Sequence, residues 1–229
     1  MLNDHDNDFS HSIQNYLKII YEQTRNGEPA TTLGLATALN IRSPSVTNML
    51  QKLAKNYPDL VIYRRHYGIL LTTEGEKKAL QIIRRHRLIE EFLFRVLNYP
   101  LEKIHPEAEE LEHAVSSFFV ERIANLLKDP SFDPHGHPIP DRDLKMAETR
   151  NLRLLSELKP GQSGVTRLIS DQEPELLVFL EEIRLLPGKR IKIVQLNPID
   201  GTQQVEVIET RQKYVLGHNI SGRIHVEVA

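Results

Sequence analysis

Residues 43–54, SPSVTNMLQKLA, read as a short helix with two unlike faces. Ser43 offers a side-chain acceptor at the cap, and Pro44 puts its ring at the first helical position, where no amide hydrogen is needed. Val46, Met49, Leu50 and Leu53 recur at helical spacing and form the buried stripe. The other face carries Ser45, Thr47, Asn48, Gln51 and Lys52, short or hydrogen-bonding groups of the kind that reads base edges and phosphates in a major groove. Upstream, Thr32 to Leu39 fits a second short helix, followed by the turn Asn40, Ile41, Arg42. Before it, residues 10 to 23 place Ile13, Tyr16, Leu17 and Ile20 at helical spacing behind a Ser10 cap, and Gly27 and Pro29 stop that helix. Downstream, Leu60 to Thr72 holds two apolar runs around Arg64, Arg65, His66, Tyr67 and Gly68, which predicts two strands joined by a basic turn. Three helices and a basic hairpin predict a winged helix-turn-helix on double-stranded DNA, with Thr32, Arg42, Ser43, Ser45, Thr47, Asn48, Gln51, Lys52, Arg64 and Arg65 as contact candidates.

Charge supports that placement locally rather than globally. The whole chain of 229 residues carries a net charge of -2, but between residues 31 and 80 Arg42, Lys52, Lys55, Arg64, Arg65, Lys77 and Lys78 face only Asp59, Glu74 and Glu76. No apolar run approaches the ~18 residues of a membrane span, and the polar start MLNDHDNDFS does not resemble a signal peptide, so a cytoplasmic protein is expected. Cysteine is absent, which excludes disulfides, thiolate metal sites and cysteine nucleophiles. No phosphate-cradling glycine loop and no Ser, His and Asp arrangement stands out, so no enzyme is expected.

Beyond the hairpin, Thr73 and Glu76 have capping-box spacing and open a long helix through Ala79, Ile82, Ile83, Ile89, Phe92, Leu93 and Val96 to a stop at Pro100. A second helix is expected from near Pro106 to about Leu127, and the pair offers a dimer interface. His86 and Glu90 lie four apart on the first, and Glu109, Glu112 and His113 are spaced by three and four on the second. With the two faces turned inward, these oxygen and nitrogen donors suit Mn(II), Fe(II) or Zn(II). Residues 129–141, DPSFDPHGHPIPD, hold four prolines and end the helical part, and there His135 and His137 can chelate together with Asp133, although such loops are also common turn chemistry. His5 and His11 are expected to face solvent. From Leu152 onward, glycines at 161, 164, 188, 201, 217 and 222 separate β-rich segments around one helix, Pro174 to Ile183, which fits a small β-barrel.

The segments PSVTNMLQKLA, RRHRLIEEFL, HPEAEELEH, HGHPIP and LLPGKR together resemble the diphtheria-toxin-repressor family of iron- and manganese-dependent regulators, in its long form with a C-terminal SH3-like domain. The resemblance spans nearly the whole chain. It implies a primary metal site of Glu109, Glu112 and His113 with Asn15 from the first helix, where family members usually carry Asp or Met. It implies a second site resembling either His86, Glu90 and His105, or Glu90, Asp133 and His135 joined by Glu173 from the barrel. Glu109 stands where iron-type members have Cys and manganese-type members Glu, so Mn(II) is favoured, with Fe(II) next and Zn(II) able to substitute in vitro. Lys18 stands where the short manganese regulators carry a further Glu, which argues against a bridged two-metal site.

The expected plan is therefore mainly α with small β parts: a winged helix-turn-helix at 1–78, a helical metal-binding and dimerisation domain at 79–141, a linker at 142–151 and an SH3-like β-barrel at 152–229. The resemblance implies a homodimer that represses metal-uptake genes, and two recognition helices imply a pseudo-palindromic operator.

Overall fold

A computed structural model of the protein describes residues 9–147, 151–170 and 173–228. It divides into two compact units, residues 1–86 with 112–121 and 140–145, and residues 87–111 with 122–139 and 146–229. His5 and residues 148–150 of the expected linker lie outside the described residues.

The first unit contains the winged helix-turn-helix. Its helices are α1 (His11–Thr24), α2 (Thr32–Ala38) and α3 (Ser43–Asn56), followed by strands β1 (Val61–Arg64) and β2 (Gly68–Leu71) in antiparallel register with Val61 opposite Leu71. The apolar spacing read from the sequence is what folds it: Leu17, Ile20, Leu35, Val46, Leu50, Leu53 and Ile69 form one buried cluster. Ala30 pairs with Ile69 through both backbone bonds, 2.9 and 3.0 Å, so the α1–α2 connection extends the hairpin. The approach leaves no space at Gly68, where a Cβ would lie 2.6 Å from the Ala30 oxygen.

Helix starts differ from expectation by one residue at two places. Arg42 occupies the cap position of α3 and Ser43 is already helical, without a side-chain cap bond. At α4 (Thr73–Arg95) the cap is Thr72, not Thr73: its hydroxyl accepts from Gly75 N at 3.1 Å and donates to the Asp59 carbonyl. The helix expected from Pro106 to Leu127 is in fact two, α5 (Leu101–Leu111) and α6 (Ser117–Leu127). Pro106 sits inside α5, and Ser116 begins a new helix by accepting from Phe119 N at 3.2 Å. Glu112 and His113 consequently lie in the intervening turn and not on a helical face with Glu109.

In the second unit the C-terminal part is a six-stranded antiparallel sheet ordered β3-β8-β4-β5-β6-β7, the expected small β domain. The strands are β3 (Leu152–Leu154), β4 (Ser163–Ile169), β5 (Arg190–Leu196), β6 (Gln203–Val207), β7 (Gln212–Leu216) and β8 (Ile224–Val228), with α7 (Pro174–Glu182) and the short α8 (His218–Ser221) between them. Period-two burial puts Ile191, Ile193, Val205, Val207, Ile224 and Val226 in its core. Glu181 of α7 accepts from Leu101 N at 3.2 Å, which fixes the start of α5 to this domain. Among the described residues no helix is long and apolar enough to cross a membrane.

Candidate metal centres and nucleic-acid surface

On α3 and the hairpin, Arg42, Ser45, Asn48, Gln51, Lys52, Arg64 and Arg65 are exposed, while Thr32, Ser43 and Thr47 are half-buried. The Thr47 hydroxyl donates to the Ser43 carbonyl at 3.1 Å, so it keeps only acceptor capacity for an outside partner. His66 turns the wing with a φ of 66° and leaves Arg64 and Arg65 projecting.

A buried polar group occupies the same unit. The Glu112 side chain is fully buried, with Oε2 2.6 Å from His86 Nδ1 and Oε1 3.2 Å from Lys18 Nζ and 3.6 Å from His113 Nε2. Burial alone would push the Glu112 carboxyl up, but the His86 hydrogen bond and the charges of His86, Lys18 and His113 outweigh it and hold it below the usual carboxylate range. Gln14 joins the group by accepting from His113 Nδ1 at 3.2 Å while donating to the Phe9 carbonyl at 2.9 Å. His11 is exposed as expected, yet its ring stacks on His113 with centroids 4.0 Å apart.

Asn15 is adjacent to Gln14 and three residues before Lys18 on α1, the helix that meets the 112–113 turn. Its Oδ1 is buried and accepts no hydrogen bond. Such an orphan costs about 1–3 kcal/mol, a cost that a bound cation would remove. The carboxylate and imidazole donors of Glu112, His86 and His113 are of the type a divalent ion takes, and Asn15 Oδ1 on α1 is an unsatisfied oxygen of the same type.

The remaining expected ligands belong to the second unit. Glu90 is buried and its Oε1 lies 3.0 Å from His105 Nδ1, while His105 Nε2 is 3.9 Å from Glu109 Oε1. Glu173, at the cap position of α7, has its Oε1 2.6 Å from Arg223 Nε.

The proline-rich loop does assemble. Asp133 Oδ1 accepts the backbone N–H groups of both His135 and His137 at 2.9 Å, and Gly136 between them adopts a φ of 93°. A Cβ at Gly136 would stand 1.7 Å from the Arg167 carbonyl oxygen of β4, and Ile169 N donates to the His135 carbonyl at 2.9 Å. Arg87 holds the loop from α4 through the Pro138 carbonyl at 2.7 Å. One ligand atom from each of Asp133, His135 and His137 lies within 4.8 Å of the others. His135 is fully buried with neither ring nitrogen hydrogen-bonded, and Asp133 Oδ2 is likewise an orphan. A fully buried imidazole with both ring nitrogens unmet calls for a ligand, and the residues fit a metal ion.

His225 on β8 is a residue that the sequence did not single out. Burial, and to a lesser degree the charge of His137, lower its pKa, against the opposing pull of Glu157. Its only sequence signal is a histidine at an alternating position of a strand.

Comparison with known proteins covers almost the whole chain. The iron dependent repressor N-terminal DNA binding domain matches residues 8–69, the iron dependent repressor metal binding and dimerisation domain matches 72–141, and a FeoA domain matches 153–228. The iron-dependent repressor IdeR of Mycobacterium leprae (strain TN) is 27% identical over 233 residues, which covers 96% of this chain and 99% of that protein. The HTH-type transcriptional regulator MntR of Bacillus subtilis (strain 168) is 34% identical over 117 residues, 51% of this chain and 80% of that one. A solved manganese-dependent transcriptional repressor in complex with manganese shares the fold with a TM-score of 0.81 and 31% identity, over 94% of this chain and 99% of its own. On the strength of these matches, the chain belongs to the iron-dependent repressor family of metal-dependent, DNA-binding transcriptional regulators.

Proposed function

We propose that this protein is a Mn(II)-responsive repressor of metal-uptake genes that binds a pseudo-palindromic operator as a homodimer. The observation that carries the reading is the buried Glu112 carboxylate, grouped with His86 and His113 beside a helix, α1, that offers the orphaned Asn15 Oδ1. A cation held there ties the DNA-binding helices to the turn between α5 and α6, and it favours the DNA-competent arrangement only by the amount it binds that arrangement more tightly. A coupling of about 1–3 kcal/mol is ordinary for such a link.

Carboxylate and amide oxygens with no sulfur favour Mn(II); Fe(II) fits next, and Zn(II) binds by raw affinity when supplied. Exposed Phe118, Phe119 and Leu126 on α6 support pairing of two copies, since large apolar groups clustered on one short helix favour a partner. The domain plan of 1–78, 79–141, 142–151 and 152–229 is retained, with Ser45, Asn48, Gln51 and Lys52 reading bases and Arg42, Arg64 and Arg65 holding phosphates.

The test is a DNA-binding titration on the gene's own upstream region and on metal-transporter promoters, comparing chelator, Mn(II), Fe(II) and Zn(II) at fixed salt. Binding that is strongest with Mn(II) and unresponsive to metal in Glu112→Gln supports the reading. Equal binding under chelator and under every metal overturns it.

A further inference from the structure

We infer that a cavity between α4, the start of α6 and the 141–145 turn is a binding site for a small organic dicarboxylate. It contains none of the proposed metal donors and goes beyond the metal response.

The cavity has a volume of about 360 Å³ and lies wholly within the first unit. That is the lower end of the range of small-molecule sites, about 300 to 1,000 Å³. Arg84 and Arg85 of α4 and Arg142 of the turn line it, with Glu121 of α6 as the one carboxylate. The lining therefore carries two more positive than negative groups. Arg84 and Arg85 are buried and anchored by backbone carbonyls: Arg84 Nη1 donates to Pro140 O at 2.8 Å, and Arg85 Nη1 to Glu112 O at 3.5 Å. A carbonyl satisfies a donor but leaves the guanidinium charge in place. Glu121 spreads over two arginines, with Oε1 3.5 Å from Arg84 Nη2 and Oε2 3.6 Å from Arg142 Nη1. It straddles both guanidiniums and forks onto neither, and both distances exceed the about 2.7–2.9 Å of a close charged pair.

The turn is built to face this space. Asp141 Oδ1 accepts the amides of Asp143 and Lys145 at 2.8 Å, and Asp141 N donates to the Lys145 carbonyl at 2.9 Å. Those bonds hold Leu144 at a φ of 62°, a left-handed conformation that is disfavoured for so large a side chain. Leu144 and Val120 of α6 add apolar wall beside the arginines, and Ser117 brings the partly positive start of α6 to the same cavity. A matching ligand has two negative charges to balance the excess and a short carbon chain to cover Val120 and Leu144. A dicarboxylate has both, inorganic phosphate lacks the chain, and a monocarboxylate lacks the second charge.

The experiment is calorimetric titration of the full chain, stripped of metal on a chelating resin, with glutarate as the probe and butyrate and inorganic phosphate for comparison. Glutarate should bind at one equivalent per chain, at least tenfold more tightly than either of the others. Arg142→Ala, at a half-exposed position, should weaken glutarate at least tenfold. Glu121→Gln should instead strengthen it, because the internal competitor for two guanidiniums is gone. No saturable binding of glutarate, phosphate binding as tight as glutarate binding, or affinity indifferent to both substitutions would overturn the assignment. Methyl NMR of the unsubstituted protein covers the case of a poorly folded variant: glutarate should shift the methyl signals of Val120 and Leu144, and shifts confined to other residues reject the cavity. Since neither metal nor DNA enters the measurement, its failure would leave the repressor reading standing.

Discussion

Lys18 Nζ lies 3.2 Å from Oε1 of Glu112, ninety-four residues away in sequence, so the first unit carries a built-in positive charge against the carboxylate proposed to bind metal. Lys18 is only 14% exposed and Glu112 not at all, so the pair is not a screened surface contact. Lys18→Gln should destabilise the metal-free protein by about 1–3 kcal/mol, since it leaves a buried carboxylate short of one partner. The same change frees Oε1, so Mn(II) should raise the melting temperature of the variant by more than it raises that of the parent. Calorimetry with and without Mn(II) decides this, and equal shifts would locate the cation away from Oε1.

A pair of glycines separates lack of space from backbone strain. Gly136 and Gly161 have nearly the same φ, 93° and 89°, but a Cβ at Gly136 meets the Arg167 oxygen at 1.7 Å whereas one at Gly161 meets nothing within 4 Å. Gly161→Ala should cost about 1 kcal/mol, the left-handed penalty alone. Gly136→Ala should cost at least about 3 kcal/mol, because the loop or β4 must move as well. Urea unfolding of the two variants measures the difference, and similar midpoints would contradict the close approach.

On the DNA face, the wing and the third helix should fail differently. Arg64→Ala is expected to weaken binding to all sequences alike and to reduce the slope of log K against log salt by about 1. Gln51→Ala should instead relax preference at one base pair, with a loss of about 1–3 kcal/mol confined to the cognate site. Titrations at four salt concentrations on cognate and scrambled duplexes distinguish the two, and equal effects of both changes on every duplex would reject this docking.

Phe118 is 72% exposed on α6, an apolar ring of a kind usually covered when a partner binds. If two copies pair through α6 as proposed, Phe118→Glu should raise the dissociation constant of the pair at least tenfold. Ile199→Glu, at a site 93% exposed in the C-terminal domain, should leave assembly unchanged. Analytical ultracentrifugation reads both, and a dimer indifferent to Phe118→Glu must be held by other surfaces.

Local chemistry made much of the architecture legible in advance. Apolar spacing located α1, α2, α3 and both hairpin strands, because those elements bury the stripe that the spacing describes. Proline misled at Pro106, read as a helix start because prolines favour the first turn, whereas tertiary contact at Leu101 begins α5 five residues earlier. Ser116 was an available cap signal that would have divided the long helix and moved Glu112 and His113 into a turn. The Lys18 pairing and the orphaned state of Asn15 and His135 were beyond sequence reasoning, since burial of a particular atom depends on packing between distant segments. The chelating potential of Asp133, His135 and His137 was visible from their short spacing, and the structure brings one ligand atom of each within 4.8 Å of the others.

The two oxygens of Asp133 have different tasks, one joined to the amides of its own loop and one turned toward the histidines. Any substitution that deletes the acid removes a fold contact and a donor in one stroke, so loss of metal response after Asp133→Ala would be uninterpretable by itself. The ring nitrogens of His135 make no such fold contact, so a change at that histidine separates the donor from the fold where a change at Asp133 does not.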